Sequence, residues 1–146
     1  DVIRPQYVSG EAVIERSIIG EGTEIYGEVH NSVIGADVYI AKGAVVRDSI
    51  IMRHSRIGEG TQVDKSIIAE NVKVGANVQM GVGEEQPNVL KPHVYSFGLA
   101  TVGENSVIPP SVRIGKNTAI VGETTPEDYP DGELVSGGVI REKGGE

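Results

Sequence analysis

The sequence predicts an all-β fold: a left-handed parallel β-helix, a hexapeptide-repeat solenoid with one ejected loop and a C-terminal extension. Three observations predict it. A template phrase recurs at a fixed step, large apolar residues recur at a six-six-five spacing, and a compact residue stands two places before each of them. Neither an amphipathic helix nor a hairpin produces that spacing.

The phrases at 14–19, 29–34, 46–51 and 63–68 share one template, an apolar residue, two polar ones, Ser and two β-branched residues. From the second phrase onward the step is constant, from Val29 to Val46 to Val63, and Met80 falls one step beyond the last. Within it, Ile34, Ile40, Val46, Ile51, Ile57, Val63, Ile68, Val74 and Met80 are expected to point inward, one for each side of a triangular coil. The residues two places earlier are Ser32, Val38, Ala44, Ser49, Ser55, Thr61, Ser66, Val72 and Val78, all small or β-branched. Such residues suit a crowded interior near a corner. Gly20, Gly35, Gly58, Gly75 and Gly115 follow inward residues, where corners are expected to require dihedrals that a Cβ resists.

The first coil, from Ile14 to Val29, is shorter than those that follow it. The pattern stops after Met80 and resumes at Val102, Ile108, Ile114 and Ile120. A β-helix over 1–120 is therefore expected, interrupted by a loop at 81–101. Residues 121–146 form a C-terminal extension, with a turn-rich stretch at 125–132 and a hairpin around Gly137-Gly138 that caps the open end.

Composition narrows the function classes. A net charge of −8 argues against nucleic acid as partner. No apolar run approaches the roughly 20 residues that cross a bilayer. No cysteine is available for disulfides or thiolate metal sites, which fits a cytoplasmic setting. His30, His54 and His93 stand far apart in the sequence, without the close pair that zinc sites on such a fold use. No glycine-rich phosphate cradle and no Ser/His/Asp arrangement is legible, so no catalytic, cofactor or metal site is expected in this chain. Stacking turns outward residues into columns, Glu15, His30, Arg47 and Asp64 in one and Arg16, Asn31, Asp48 and Lys65 in the next. Arg47–Asp64 and Asp48–Lys65 pairs are expected from them.

Pro5-Gln6-Tyr7-Val8, Ile19-Gly20-Glu21-Gly22, the segment 29–35, Val46-Arg47-Asp48-Ser49-Ile50-Ile51-Met52 and the return Gly98-Leu99-Ala100-Thr101-Val102 leading to Ile108-Pro109 carry a resemblance. Over about residues 5 to 120 the chain resembles the C-terminal β-helix of sugar-nucleotide pyrophosphorylases, and among them the glucose-1-phosphate adenylyltransferases of glycogen and starch synthesis. The resemblance implies a catalytic, Mg2+-dependent α/β domain before this one, consistent with a chain that opens on Asp1. It also implies packing on that domain and assembly into dimers or tetramers. Mannose-1-phosphate guanylyltransferases and hexapeptide-repeat acyltransferases are the alternatives; for the latter His93 is the candidate base. Plant and cyanobacterial members bind anionic effectors partly through two lysines, whose matching positions here hold Glu70 and Glu104, with Glu70 expected beside Arg53. Arg53, Arg56 and Lys73 remain as a candidate anion or effector group. Val2, Ile3, Tyr7, Val8 and Phe97 are the candidate interface contacts.

Overall fold

A three-sided coil leaves room inside for one large side chain from each side, so inward residues must be apolar and must stack on their counterparts in the next coil. The computed structural model describes residues 3–142 and meets this demand with strands of two to four residues. The first coil holds Tyr7–Val8 (β1), Val13–Glu15 (β2) and Ile18–Ile19 (β3). The second holds Glu24–Ile25 (β4), Glu28–His30 (β5) and Val33–Ile34 (β6). Tyr39–Ile40 (β7), Val45–Arg47 (β8) and Ile50–Ile51 (β9) follow, then Arg56–Ile57 (β10), Gln62–Asp64 (β11) and Ser66–Ile68 (β12). Lys73–Val74 (β13) and Gln79–Met80 (β14) precede the loop, and Ala100–Val102 (β15) follows it. Val107–Ile108 (β16), Arg113–Ile114 (β17), Thr118–Val121 (β18), Glu133–Leu134 (β19) and Val139–Arg141 (β20) complete the order. Every third strand stacks in parallel over most of the chain. This gives a first side of six strands from β1 to β16, a second of seven from β2 to β19 and a third of seven from β3 to β20.

The inward series is as the spacing predicts: none of its residues from Ile34 to Met80 is more than 4% exposed. Each such burial is worth roughly 1.5–3 kcal/mol before the cost of ordering the chain. The compact positions do more than save space. Ser49 Oγ donates to the Arg47 carbonyl (2.7 Å) and accepts from Ser66 N (3.0 Å) one coil on, and Ser32 repeats the arrangement toward Ser49 N (3.1 Å). Thr23, Ser55 and Thr61 likewise accept an N–H from one coil on, but they donate to a carbonyl further along the chain, of Gly35, Ala69 and Gly75 respectively. A hydroxyl here satisfies a backbone N–H that the tight corner would otherwise orphan.

The corner glycines carry a correction. Gly20, Gly35, Gly58, Gly75 and Gly115 are not among the left-handed residues. Their necessity is steric: a Cβ on Gly58 would stand 2.5 Å from the Gly75 carbonyl carbon, and one on Gly75 2.6 Å from Pro110 N. Left-handed dihedrals fall elsewhere in the corners, on Asp37, His54, Asn71 and Asn105 in one column and on Gly43, Gly60, Asn77 and Ser111 in another. Asn and Asp tolerate that region better than most side chains.

Two boundaries also differ. The loop ends before Ala100 rather than after 101, because Ala100 and Thr101 already pair with Ser66 and Ile67 of β12. Two buried asparagines hold it: Asn88 donates to the Asn117 carbonyl (2.8 Å), and Asn117 Oδ1 accepts from Gly98 N (2.8 Å). The expected hairpin around Gly137-Gly138 does not form. β19 lies parallel to β17 and β20 parallel to β18, so the extension adds most of one more coil. A 3-10 turn at Pro126–Asp128 stands where the first side would continue, and Tyr129 after it is buried at the end of the core.

Gly58→Ala should destabilise the chain by about 2 kcal/mol or more in urea unfolding, since backbone must move to admit the Cβ. Gly10→Ala, with nothing within 4 Å, should cost nothing or gain up to about 1 kcal/mol. Equal effects would contradict the close-approach account. Tyr129 makes a second prediction. Its hydroxyl shares a 2.8 Å hydrogen bond with Thr124, and burial pushes its pKa up to about 12. The folded chain thus favours the neutral phenol, so this contribution is complete below about pH 10 and lost as pH rises toward about 12. Across that window the wild-type chain should lose on the order of 2 kcal/mol relative to Tyr129→Phe. Parallel pH profiles would refute it.

Candidate functional site

Because coils stack in register, each side presents one outward residue per strand, repeated as a column. On the second side the column is charged and polar. His30 bridges Glu15 (2.6 Å) and Glu28 (3.1 Å), and Arg47 reaches Asp64 at 4.0 Å. The expected Asp48–Lys65 pair is absent from the described residues; Asp48 accepts from Asn31 instead (2.8 Å), at a corner where Asn31, Asp48 and Lys65 are all left-handed.

The first side carries Tyr7, Glu24, Tyr39, Arg56, Lys73 and Val107 as successive register partners. Tyr26 lies between the Tyr7 and Tyr39 rings, 5.5 Å from each, and the Arg56 guanidinium rests 4.8 Å over Tyr39. At the corner leading into this side, Arg4 grips Asp37 through both carboxylate oxygens. That contact holds the Asp37 carboxyl below its ordinary range and raises the arginine. Arg53 pairs with Glu70 at 3.2 Å, as the stacking predicts, and Glu104 is exposed in the corresponding turn one coil on. Of the candidate anion group, Arg56 and Lys73 therefore come together as cross-strand partners, while Arg53 is engaged by Glu70 in the preceding turn.

The third side differs in kind. Its column runs Ile18, Val33, Ile50, Ile67, Thr101, Ala119 and Val139, without a charge. Ile18 is 69% exposed, and Val33, Ile50 and the adjoining Met52 are each about two-fifths exposed. The loop leans onto this face: Tyr95 helps to line a cavity of about 250 Å³ whose other walls include Ile67, Thr101 and Ala119. Sequence reasoning missed this column, although the same constant step that brought out the charged columns also runs through Val33, Ile50 and Ile67.

The candidate interface residues fall in separate places. Tyr7 and Val8 are exposed on β1 and Ile3 is exposed just before it, whereas Phe97, 80% exposed and left-handed, belongs to the loop with exposed Val89, Leu90 and Val94. Val2 lies outside the described residues. His93 is exposed in the same loop.

Comparison with known proteins bears on this architecture. Over 144 residues the chain is 60% identical to a glucose-1-phosphate adenylyltransferase of Lachnospira eligens, covering 99% of this chain and 34% of that protein. It is 47% identical to one of Acetivibrio thermocellus, covering 96% of this chain and 33% of the relative. The chain thus spans about a third of the length of the curated relatives it matches. A putative acetyltransferase from Desulfovibrio desulfuricans G20 superposes with a TM-score of 0.57 at 17% identity, covering 94% of this chain and 26% of that one, which shows the fold alone. Residues 5–102 match the family described as GlmU-like, C-terminal hexapeptide. On the repeat, the three parallel sides and that match, the chain belongs to this family of left-handed hexapeptide β-helices.

Proposed function

We propose that this chain is the docking and assembly part of a cytoplasmic glucose-1-phosphate adenylyltransferase, which joins ATP and glucose 1-phosphate into ADP-glucose and pyrophosphate for glycogen synthesis. Catalysis, with its Mg2+, belongs to residues outside this chain. The identity across nearly the whole chain to two enzymes of that name supports the assignment.

The observation that carries the docking role is the uncharged outward column of the third side. In a chain of net charge −8, an uncharged column whose members Ile18, Val33 and Ile50 stand exposed is costly to leave in water. With the adjoining Met52 these residues make a strip one side chain wide and below about 300 Å². That falls short of the roughly 800 Å² per partner that freestanding interfaces need. A covalently linked partner requires less, because tethering supplies a high effective concentration. The strip therefore fits the catalytic domain of the same polypeptide. Homo-oligomer contacts fall to other surfaces, with the apolar side chains of the loop and Tyr7 and Val8 of β1 as the candidates.

Two measurements test this. The chain alone should release no pyrophosphate from ATP and glucose 1-phosphate; turnover by a clean preparation would overturn the division of labour. The part of the Lachnospira eligens relative outside the matched residues, expressed separately, should bind this chain. Ile50→Lys should weaken that binding at least about tenfold while leaving the melting temperature within a few degrees, as surface changes usually do. Unchanged binding by the variant would remove the third side from the interface.

A further inference from the structure

An Asp or Asn side chain can cyclise onto the amide nitrogen of the next residue. That requires a small following residue, rotation about the intervening main-chain bond and a nitrogen that is not locked in the interior. The coil withholds all of these at its corners. Asp37, Asp48, Asn71 and Asn77 are held left-handed and are followed by Val38, Ser49, Val72 and Val78. Each following N–H donates to a hydroxyl one coil back in a buried hydrogen bond: Val38 N to Thr23 (3.2 Å), Ser49 N to Ser32 (3.1 Å), Val72 N to Ser55 (3.0 Å) and Val78 N to Thr61 (3.2 Å). The hydroxyls that satisfy the corners thus also hold the nitrogen that would attack the neighbouring side chain.

Asp131 is the contrast. It is the one Asp or Asn of the sequence that precedes a glycine, Gly132. It is exposed and is not among the left-handed residues, and a Cβ on Gly132 would meet nothing within 4 Å. The Gly132 N–H donates to the Tyr129 carbonyl (3.1 Å) across the exposed Pro130-Asp131 pair, a surface turn that opens more readily than a buried ladder.

We propose that Asp131-Gly132 is a site of spontaneous isoaspartate formation, and that the corner hydroxyls keep the coils free of it. The Gly132 nitrogen bonds to the side-chain carboxyl carbon of Asp131 in its acid form. The acid's hydroxyl and the nitrogen's proton leave as water, which closes an imide ring. Water then adds to the imide carbonyl that came from the main chain and breaks its bond to nitrogen. The chain now runs through the side-chain carbon, lengthened by one methylene, with the former main-chain carboxylate free. Atoms balance overall, and no oxidant or cofactor is consumed. The added methylene falls between Tyr129 and Leu134, which are both buried at the end of the core, and beside the Gly132 carbonyl that accepts from Arg113 N (3.0 Å). The modification therefore loosens the terminal coil. It does not rest on the docking reading.

The test is to hold the folded chain at neutral pH and body temperature for several weeks in heavy-oxygen water and to map its peptides by mass spectrometry. Isoaspartate carrying heavy oxygen should accumulate at 131, with Asp37 and Asp48 at least about tenfold lower. In urea that ratio should narrow, because the hydroxyl ladder is gone. Asp131→Glu, whose side chain must close a larger ring, should stay unmodified and should melt with fresh wild type. After ageing, the amides of Arg113 and Gly115, which donate to the Gly132 and Leu134 carbonyls, should exchange with solvent faster in wild type and not in Asp131→Glu. No isoaspartate at 131 in the folded chain, or equal amounts at Asp48, would overturn the proposal. An unchanged ratio in urea would remove the protective role of the hydroxyls, and faster exchange in both aged chains would remove the link to the terminal coil.

Discussion

The structure depends on how closely successive coils approach one another. Parallel strands stack at about 4.8 Å, and at the corners the backbones come so near that Gly20, Gly35, Gly58 and Gly75 have no space for a Cβ. From that approach the rest follows. The interior is narrow, so each side admits one large apolar residue and one compact one. The compact residue sits beside corner carbonyls and the next coil's N–H groups, which is why Ser or Thr serves better there than Ala at many positions.

The same approach frees the outside. Once inward positions are fixed, outward residues are constrained only by their neighbours one coil away, and any preference is repeated as a column. Three sides of one solenoid can thus carry three chemistries. The second is laced by charge pairs, the first sets two cations in line with tyrosines, and the third carries an uncharged column. A globular domain would need separate elements to achieve this segregation. Here it takes one choice per coil.

Much of this was legible in the sequence because the inward period is strict. Ile34 to Met80 could be placed inside, and Glu70 beside Arg53, by counting alone. What counting missed has physical reasons. Gly58 reads as a conformational requirement when the distance to Gly75 is unseen; the composition of a corner does not distinguish a dihedral from a collision. The third-side column was hidden because each member stands directly before an inward residue, and Ile50-Ile51 reads as one apolar pair rather than one residue on each surface. The hairpin at Gly137-Gly138 looked plausible because a glycine pair is a strong turn signal. Leu134 and Ile140 nevertheless keep the spacing of the coils, each in register with its counterpart one coil back, and that spacing won.

The loop shows how a strict scaffold accommodates an irregular segment. A long insertion costs little closure entropy, but its return must restore register, or every later side chain would face the wrong way. Asn88 and Asn117 accomplish this from both sides of the gap. Asn88 fixes the outgoing segment of the loop to the Asn117 carbonyl, its own side-chain oxygen accepting from Leu90 N and Lys91 N, while Asn117 takes Gly98 N and donates to the Gln86 carbonyl. Both asparagines are buried, so each hydrogen bond is held away from water and is expensive to leave unmade. Ala100 then meets Ser66 in register, and Val102 stacks on Ile68 as though no loop intervened. The apolar side chains at the loop's surface, Val89, Leu90, Val94 and Phe97, are consequently presented by a segment anchored at its base. Such anchoring lowers the ordering entropy that a partner binding there would otherwise have to offset.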